Sequence, residues 1–193
     1  TAGAIANLTI NNSAGVSLSG NASIASSGTL TLTSGQLNLN GKTLTLASGD
    51  TVSVDTGSLS AAPTLSGTVN VTYTGTAAVN TGYEIPSSTS ALSNLTINKT
   101  GGVTMSADTT VDGTLTVNSG ANLDFNGHTV TVATAPVLNG ALTMEVSKTG
   151  ANTFTGSKLQ SAGTLTYGGT LTVTASGQAL AGGDVIDLFD AGR

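Results

Sequence analysis

Apolar side chains alternate with Thr, Ser and Asn in short runs along nearly the whole chain, and each run stops at Gly, Asn, Asp or Ser. Period-2 alternation between turn residues is the pattern of half-buried β-strands. It predicts strands at Leu8–Ile10, Val16–Leu18, Ser23–Ile24, Thr29–Leu32, Leu37–Leu39, Thr43–Leu46 and Val52–Val54, then at Leu95–Ile97, Val103–Met105, Thr110–Val111, Thr114–Val117, Leu123–Phe125 and Thr129–Val132. No window carries apolar residues at helical spacing, and the density of Gly, Thr, Ser and Val opposes helix throughout. The fold class is all-β.

The pattern is also duplicated. Asn-Leu-Thr-Ile at 7–10 returns at 94–97, Gly15-Val16 returns as Gly102-Val103, and Gly28–Leu32 returns as Gly113–Val117. The eight positions Leu39–Leu46 match Phe125–Val132 around a shared Asn-Gly. A further pairing sets Pro63, Leu65, Gly67, Val69 and Val71 against Pro136, Leu138, Gly140, Leu142 and Met144. Turn glycines and alternating apolar positions are what the copies share, which points to a quasi-one-dimensional architecture rather than one closed site. The chain divides into a first block at 1–86, a second at 87–149 and C-terminal strands at 150–193 that continue the same body. The best boundary is Gly82–Ser90, where a proline followed by hydroxyl residues leaves any central strand.

Two architectures fit. In a parallel β-solenoid each short strand is one side of a coil of roughly 22 residues, about eight or nine coils in all, with inward Leu, Ile and Val stacked in ladders. In an antiparallel β-sandwich, Asn40-Gly41 and Asn126-Gly127 are two-residue hairpins, the first pairing Leu37 with Leu44. Strand spacing this tight and regular favours the solenoid. Gly41 and Gly127 need positive φ in either case.

Composition narrows the function. Only 8% of the 193 residues are charged and 3% are aromatic. No stretch approaches the roughly 18 apolar residues of a spanning helix. The five basic residues are scattered (Lys42, Lys99, Lys148, Lys158, Arg193) and few aromatics could stack bases, so nucleic-acid binding has no support. Cysteine is absent, which removes disulfides and thiolate metal sites. There is no initiator Met or signal peptide, so the chain reads as a fragment of, or a processed unit from, something longer.

Candidate chemistry is thin. His128, the lone histidine, holds the turn position of Lys42 in the other copy, with no acid recurring beside it. Asp184, Asp187 and Asp190 are spaced three apart, which on a strand puts neighbours on opposite faces and prevents a joint grip on a cation. Glu84 and Glu145 are the only glutamates and occupy non-equivalent positions. Thr-x-Thr pairs such as Thr29/Thr31 and Thr114/Thr116 raise ice binding, but their irregular intervals argue against one rank per coil. These readings predict no catalytic site, no metal and no cofactor.

Ser93–Asn98, Gly113–Val117, Ser34–Leu46, Val71–Ala77 and the tail Gly168–Asp190 resemble the repeats and closing strands of large secreted β-solenoid surface proteins of Gram-negative bacteria, of the autotransporter-passenger and adhesin type. The resemblance covers most of the chain and implies an extracellular, cell-surface stalk, fibre or adhesin, with no shared catalytic motif. The expected function is a non-enzymatic structural segment that forms a homopolymer through its ends, the alternative an adhesin that holds glycan or a surface on its outer face. For self-association the candidates are Val185, Ile186, Leu188 and Phe189, read as a final apolar strand. Neither they nor the small residues Thr1–Ala6 look like a cap.

Overall fold

The computed structural model describes residues 3–192. It is a parallel β-solenoid of about six turns, with no helix among the described residues. One face stacks Ile5–Asn11, the second half of Ala22–Ser34, Thr51–Val54, Val69–Gly75, Leu92–Lys99, Leu115–Val117, Val137–Leu138 and Thr166–Tyr167. The second face stacks Val16–Ser17, Gln36–Asn38 and Ser58–Leu59, and lower down Val79–Asn80, Val103–Thr104, Asn122–Asp124, Ala141–Gly150 and Thr170–Gly177. On the third, the start of Ala22–Ser34 meets Leu44–Leu46 and Thr64–Leu65, and below them come Thr109–Val111, Thr129–Val132, Lys158–Ser161 and Phe189–Ala191.

The alternation read from the sequence becomes axial ladders. Leu30, Val52, Val71, Leu95 and Leu115 pair in register and are fully buried. Beside them runs Ile10, Leu32, Val54, Tyr73, Ile97, Val117, Leu138 and Tyr167. Each rung buries its apolar side chains against the rungs above and below, so stability grows with neighbours rather than with a single centre. Although eight strands stack on the first face, complete three-sided turns fall short of the eight or nine expected because the chain spends residues outside the coil. Residues 81–91 replace a third-face strand, Thr153–Gly156 folds back antiparallel on Ala141–Gly150, and 178–188 holds no strand.

The Asn-Gly pairs are corners, not hairpins. Leu37 pairs in parallel with Val16 and Leu59, while Leu44 pairs with Ala22. Both turn residues have positive φ, 50° and 70° at Asn40-Gly41 and 48° and 78° at Asn126-Gly127. The amides of Lys42 and His128 close the turns on the carbonyls of Leu39 (2.8 Å) and Phe125 (2.9 Å). The same turn chemistry that joins antiparallel strands therefore also bends a solenoid coil. The copies match here in detail: Asn40 and Asn126 each donate a side-chain amide to the coil before, at Leu18 (3.3 Å) and Met105 (3.2 Å). Leu39 and Phe125 are both buried and Lys42 is exposed, but His128 is half-buried.

Four of the five repeat matches occupy the same faces in both copies. The proline block does not. Leu65 lies on the third face and Val69 and Val71 on the first, whereas Leu138 lies on the first and Leu142 and Met144 on the second. Alternation plus a turn fits any side of the coil, so this match carried a strand-turn-strand pattern without a position.

Candidate functional site

The sequence-level candidates for chemistry sit apart from one another. His128 Nδ1 lies 3.4 Å from Asp108 Oδ1, whose carboxylate also accepts from the Thr129 amide at 2.9 Å. Glu145 Oε2 accepts from the Gly127 amide and from Ser157 Oγ, both at 2.9 Å. That carboxylate fastens the Asn126-Gly127 corner to the chain after the hairpin. Its carboxylate neighbour is Asp124 rather than Glu84. Burial pushes Asp124 up, with the adjoining Glu145 adding to the rise against the pull of the Asn126 amide. For Glu145 burial also works upward, but it is outweighed by hydrogen bonds from Ser157, the Gly127 amide and Asp124, which hold it low. The Ser157 hydroxyl donates to that carboxylate and accepts from the Glu145 amide at 2.9 Å and the Gly127 amide at 3.1 Å, and no histidine reaches it among the described hydrogen bonds.

Asp184, Asp187 and Asp190 face lysines instead of one another. Asp184 Oδ2 is 2.7 Å from Lys148 Nζ, and Lys158 Nζ lies 2.9 Å from Asp187 and 3.9 Å from Asp190. The Lys148 hydrogen bond, helped by the Ala181 amide, lowers the Asp184 pKa. Among the described residues no three His, Cys, Asp or Glu side chains are grouped to hold a metal ion.

The Thr-x-Thr pairs are more ordered than their sequence intervals suggest. Thr9, Thr31, Ser53, Thr72, Thr96 and Thr116 form one continuous outward rank on the first face. Turns of different length absorb the unequal spacing, so register survives. The companion rank of Asn7, Thr29, Thr51, Asn70 and Asn94 mixes amides with hydroxyls. Asn94 Nδ2 donates to Asn70 Oδ1 at 2.8 Å, so these amides bind one another along the axis and interrupt a uniform hydroxyl lattice.

The ends form the next candidate. At the C-terminal end Leu171 and Val173 pair with Leu142 and Met144. Both stand in inward ladders, yet Val173 is 42% exposed where Met144 is 0%. At the other end Val16 is 37% exposed, against 0% for its ladder partner Leu37. The expected final strand is shorter than the apolar run. Val185 to Leu188 lie in a loop with Val185 76% exposed and Ile186 half-buried, and the strand begins at Phe189, on Leu159. Leu188 and Phe189 pack partly against the core. The consecutive Gly182-Gly183, with positive φ at Gly183, turn this segment away from the ladder. Thr1 and Ala2 of the expected N-terminal edge lie outside the described residues.

Tyr73, invisible as a functional residue in the sequence, organises a last site. It stands in an aliphatic ladder between Val54 and Ile97, fully buried. A phenol there needs an acceptor. Glu84, brought inside by residues 81–91, accepts the Tyr73 hydroxyl at 2.6 Å and the Gly82 amide at 2.7 Å, both on Oε1. Burial raises the Tyr73 pKa well above the usual value, and the Glu84 charge and hydrogen bond add to it. The interruption of the third face is thus where the core acquires its one Tyr–Glu pair. The signal available in the sequence was a tyrosine at an inward position shortly before the glutamate of the predicted boundary.

No helix among the described residues is long and apolar enough to cross a membrane. No family model matches the chain, and neither a curated protein nor a solved structure is detectably similar to it.

Proposed function

We propose that this chain is a non-enzymatic structural segment of a bacterial cell-surface fibre or stalk, lengthened by stacking further coils on its end faces. The observation that carries the reading is the contrast within single ladders: Val173 is 42% exposed where Met144 is 0%, and Val16 is 37% exposed where Leu37 is 0%. Another rung would cover these side chains and pair the free edge of Thr170–Gly177. Burying the exposed part of each is worth about 1 kcal/mol, in addition to the backbone hydrogen bonds. The added rung comes from a second copy, and a head-to-tail contact of that kind does not close. Extracellular placement rests on the resemblance to secreted surface repeats. An exterior of hydroxyls and amides suits such a role because it gives salt and pH little to act on.

Sedimentation of the chain over a concentration series tests the reading. The wild type should grow into larger species, and Val173→Glu should remain monomeric with an unchanged β-type circular dichroism spectrum. A monomeric wild type at the highest concentrations, or a Val173→Glu chain that assembles like the wild type, would overturn it.

A further inference from the structure

We propose that the groove beside Tyr83 binds a saccharide of one or two rings, with Glu84 as its principal acceptor. The inference does not depend on how the ends are covered. It begins from the missing strand. Between Thr64–Leu65 and Thr109–Val111 the third face has no rung, and residues 81–91 cross the gap as turns and bends. The crossing leaves a groove of about 440 Å³ walled by Pro63, Leu65, Tyr83 and Pro86, with Ser88 and Ser90 at its edge and Glu84 in its lining. Tyr83 is 54% exposed and also lines a second groove of about 320 Å³ on its other side, with Ile85, Pro86 and Ser106.

Glu84 is what makes this a site rather than a dent. The residue is only 4% exposed, and Oε1 already holds two hydrogen bonds. Oε2 accepts none from the described residues. Among the described residues every side-chain polar atom sealed from solvent has a partner, so Oε2 keeps an opening to solvent, and Glu84 is part of the groove lining. A carboxylate oxygen only accepts, so whatever fills the groove must donate to it. No Lys, Arg or His lines the groove, and no salt bridge involves Glu84 among the described residues.

The walls select among donors. A bare ammonium or guanidinium would meet the carboxylate but leave Pro63, Leu65 and Pro86 uncovered. A sugar ring offers both surfaces at once: hydroxyls that make charge-assisted bonds to Oε2, and an apolar C–H face for the prolines and the exposed tyrosine. The serine hydroxyls at the edge can donate or accept as further sugar hydroxyls require. The volume lies within the usual range of small-molecule sites and exceeds what a single side-chain cation fills.

Chemical-shift titration of the full chain tests the proposal, using glucose, galactose, mannose and N-acetylglucosamine as probes and, separately, lysine amide and arginine amide. At least one saccharide should bind at millimolar concentration, with shifts mapping to residues 62–68 and 82–91. Affinity should fall at least about tenfold in Glu84→Gln and in Tyr83→Ala. Glu84→Gln keeps a carbonyl for Tyr73 and Gly82 but turns an amide donor toward the groove. Tyr83→Ala changes only a surface side chain, so it decides the matter if Glu84→Gln unfolds. No saccharide binding at any accessible concentration, or binding indifferent to Tyr83→Ala, would overturn the proposal. Binding of the amide probes alone would overturn it in favour of a site for basic side chains.

Discussion

Replacing Lys99 by Met should cost this fold about 3 kcal/mol. Lys99 occupies the last position of Leu92–Lys99 and is 0% exposed. Its Nζ donates to the Thr74 carbonyl at 2.6 Å, the Asp55 carbonyl at 3.1 Å and Asp55 Oδ1 at 3.0 Å. Asp55 directly follows the strand Thr51–Val54, and Thr74 and Lys99 lie in the next two strands of the first-face stack, so one ammonium ties three rungs at their corner. Methionine keeps the aliphatic stem and removes all three bonds. Breaking a buried pair from one side costs about 3–5 kcal/mol. Asp55 is 37% exposed and regains water once its partner is gone, which places the loss near the lower end, about 3 kcal/mol. With a urea dependence of about 2 kcal/mol per molar, the unfolding midpoint should fall by about 1.5 M. Asp55→Asn leaves both carbonyl bonds in place and should cost about 1 kcal/mol, and the double variant should cost less than the sum. Urea melts followed by circular dichroism measure all three. A Lys99→Met midpoint within error of the wild type would refute the claim that this buried ammonium holds the corner.

Gly127→Ala and Gly41→Ala should each destabilise by about 1 kcal/mol in thermal melts, because φ is positive at both and no atom lies within 4 Å of the added methyl. Gly35→Ala should cost several times more, since its methyl would land on the Asn12 carbonyl oxygen, and equal effects at the three sites would contradict the corner geometry. Asp184 has its pKa lowered by Lys148, so its contribution is present above the unfolded value of about 3.9 and is lost as pH falls through the folded one. Urea midpoints measured from pH 7 down to about pH 2 should therefore drop less steeply on acidification in Asp184→Asn than in the wild type.

Strand positions and inward residues were legible in the sequence because alternation records which side of a strand meets the core, and the ladders through Leu30 and Leu32 follow from it directly. Corner geometry was legible too, since Asn-Gly fixes positive φ whatever the strands beyond it do. Which face a strand joins was not, and the proline blocks at Pro63 and Pro136 show why: local patterns lack any mark of the coil side. The polar interior was equally hidden. Lys99 and Glu84 read as ordinary scattered charges, and only the parallel register carries Asp55 and Thr74 to the first, while a missing strand carries Tyr73 to the second. The apolar tail misled for a related reason. Val185 and Ile186 have strand composition, yet the glycines before them swing the chain out, and only Phe189–Ala191 returns to the stack.

Cryo-electron microscopy of the concentrated wild-type chain tests the central claim most directly. The account predicts unbranched filaments one solenoid wide, with a helical rise set by rungs about 4.8 Å apart and the strand of Thr170–Gly177 paired with Ile5–Asn11 or Val16–Ser17 of the next copy. Separate particles of single-chain mass at every concentration, with Leu171 and Val173 facing solvent, would contradict it.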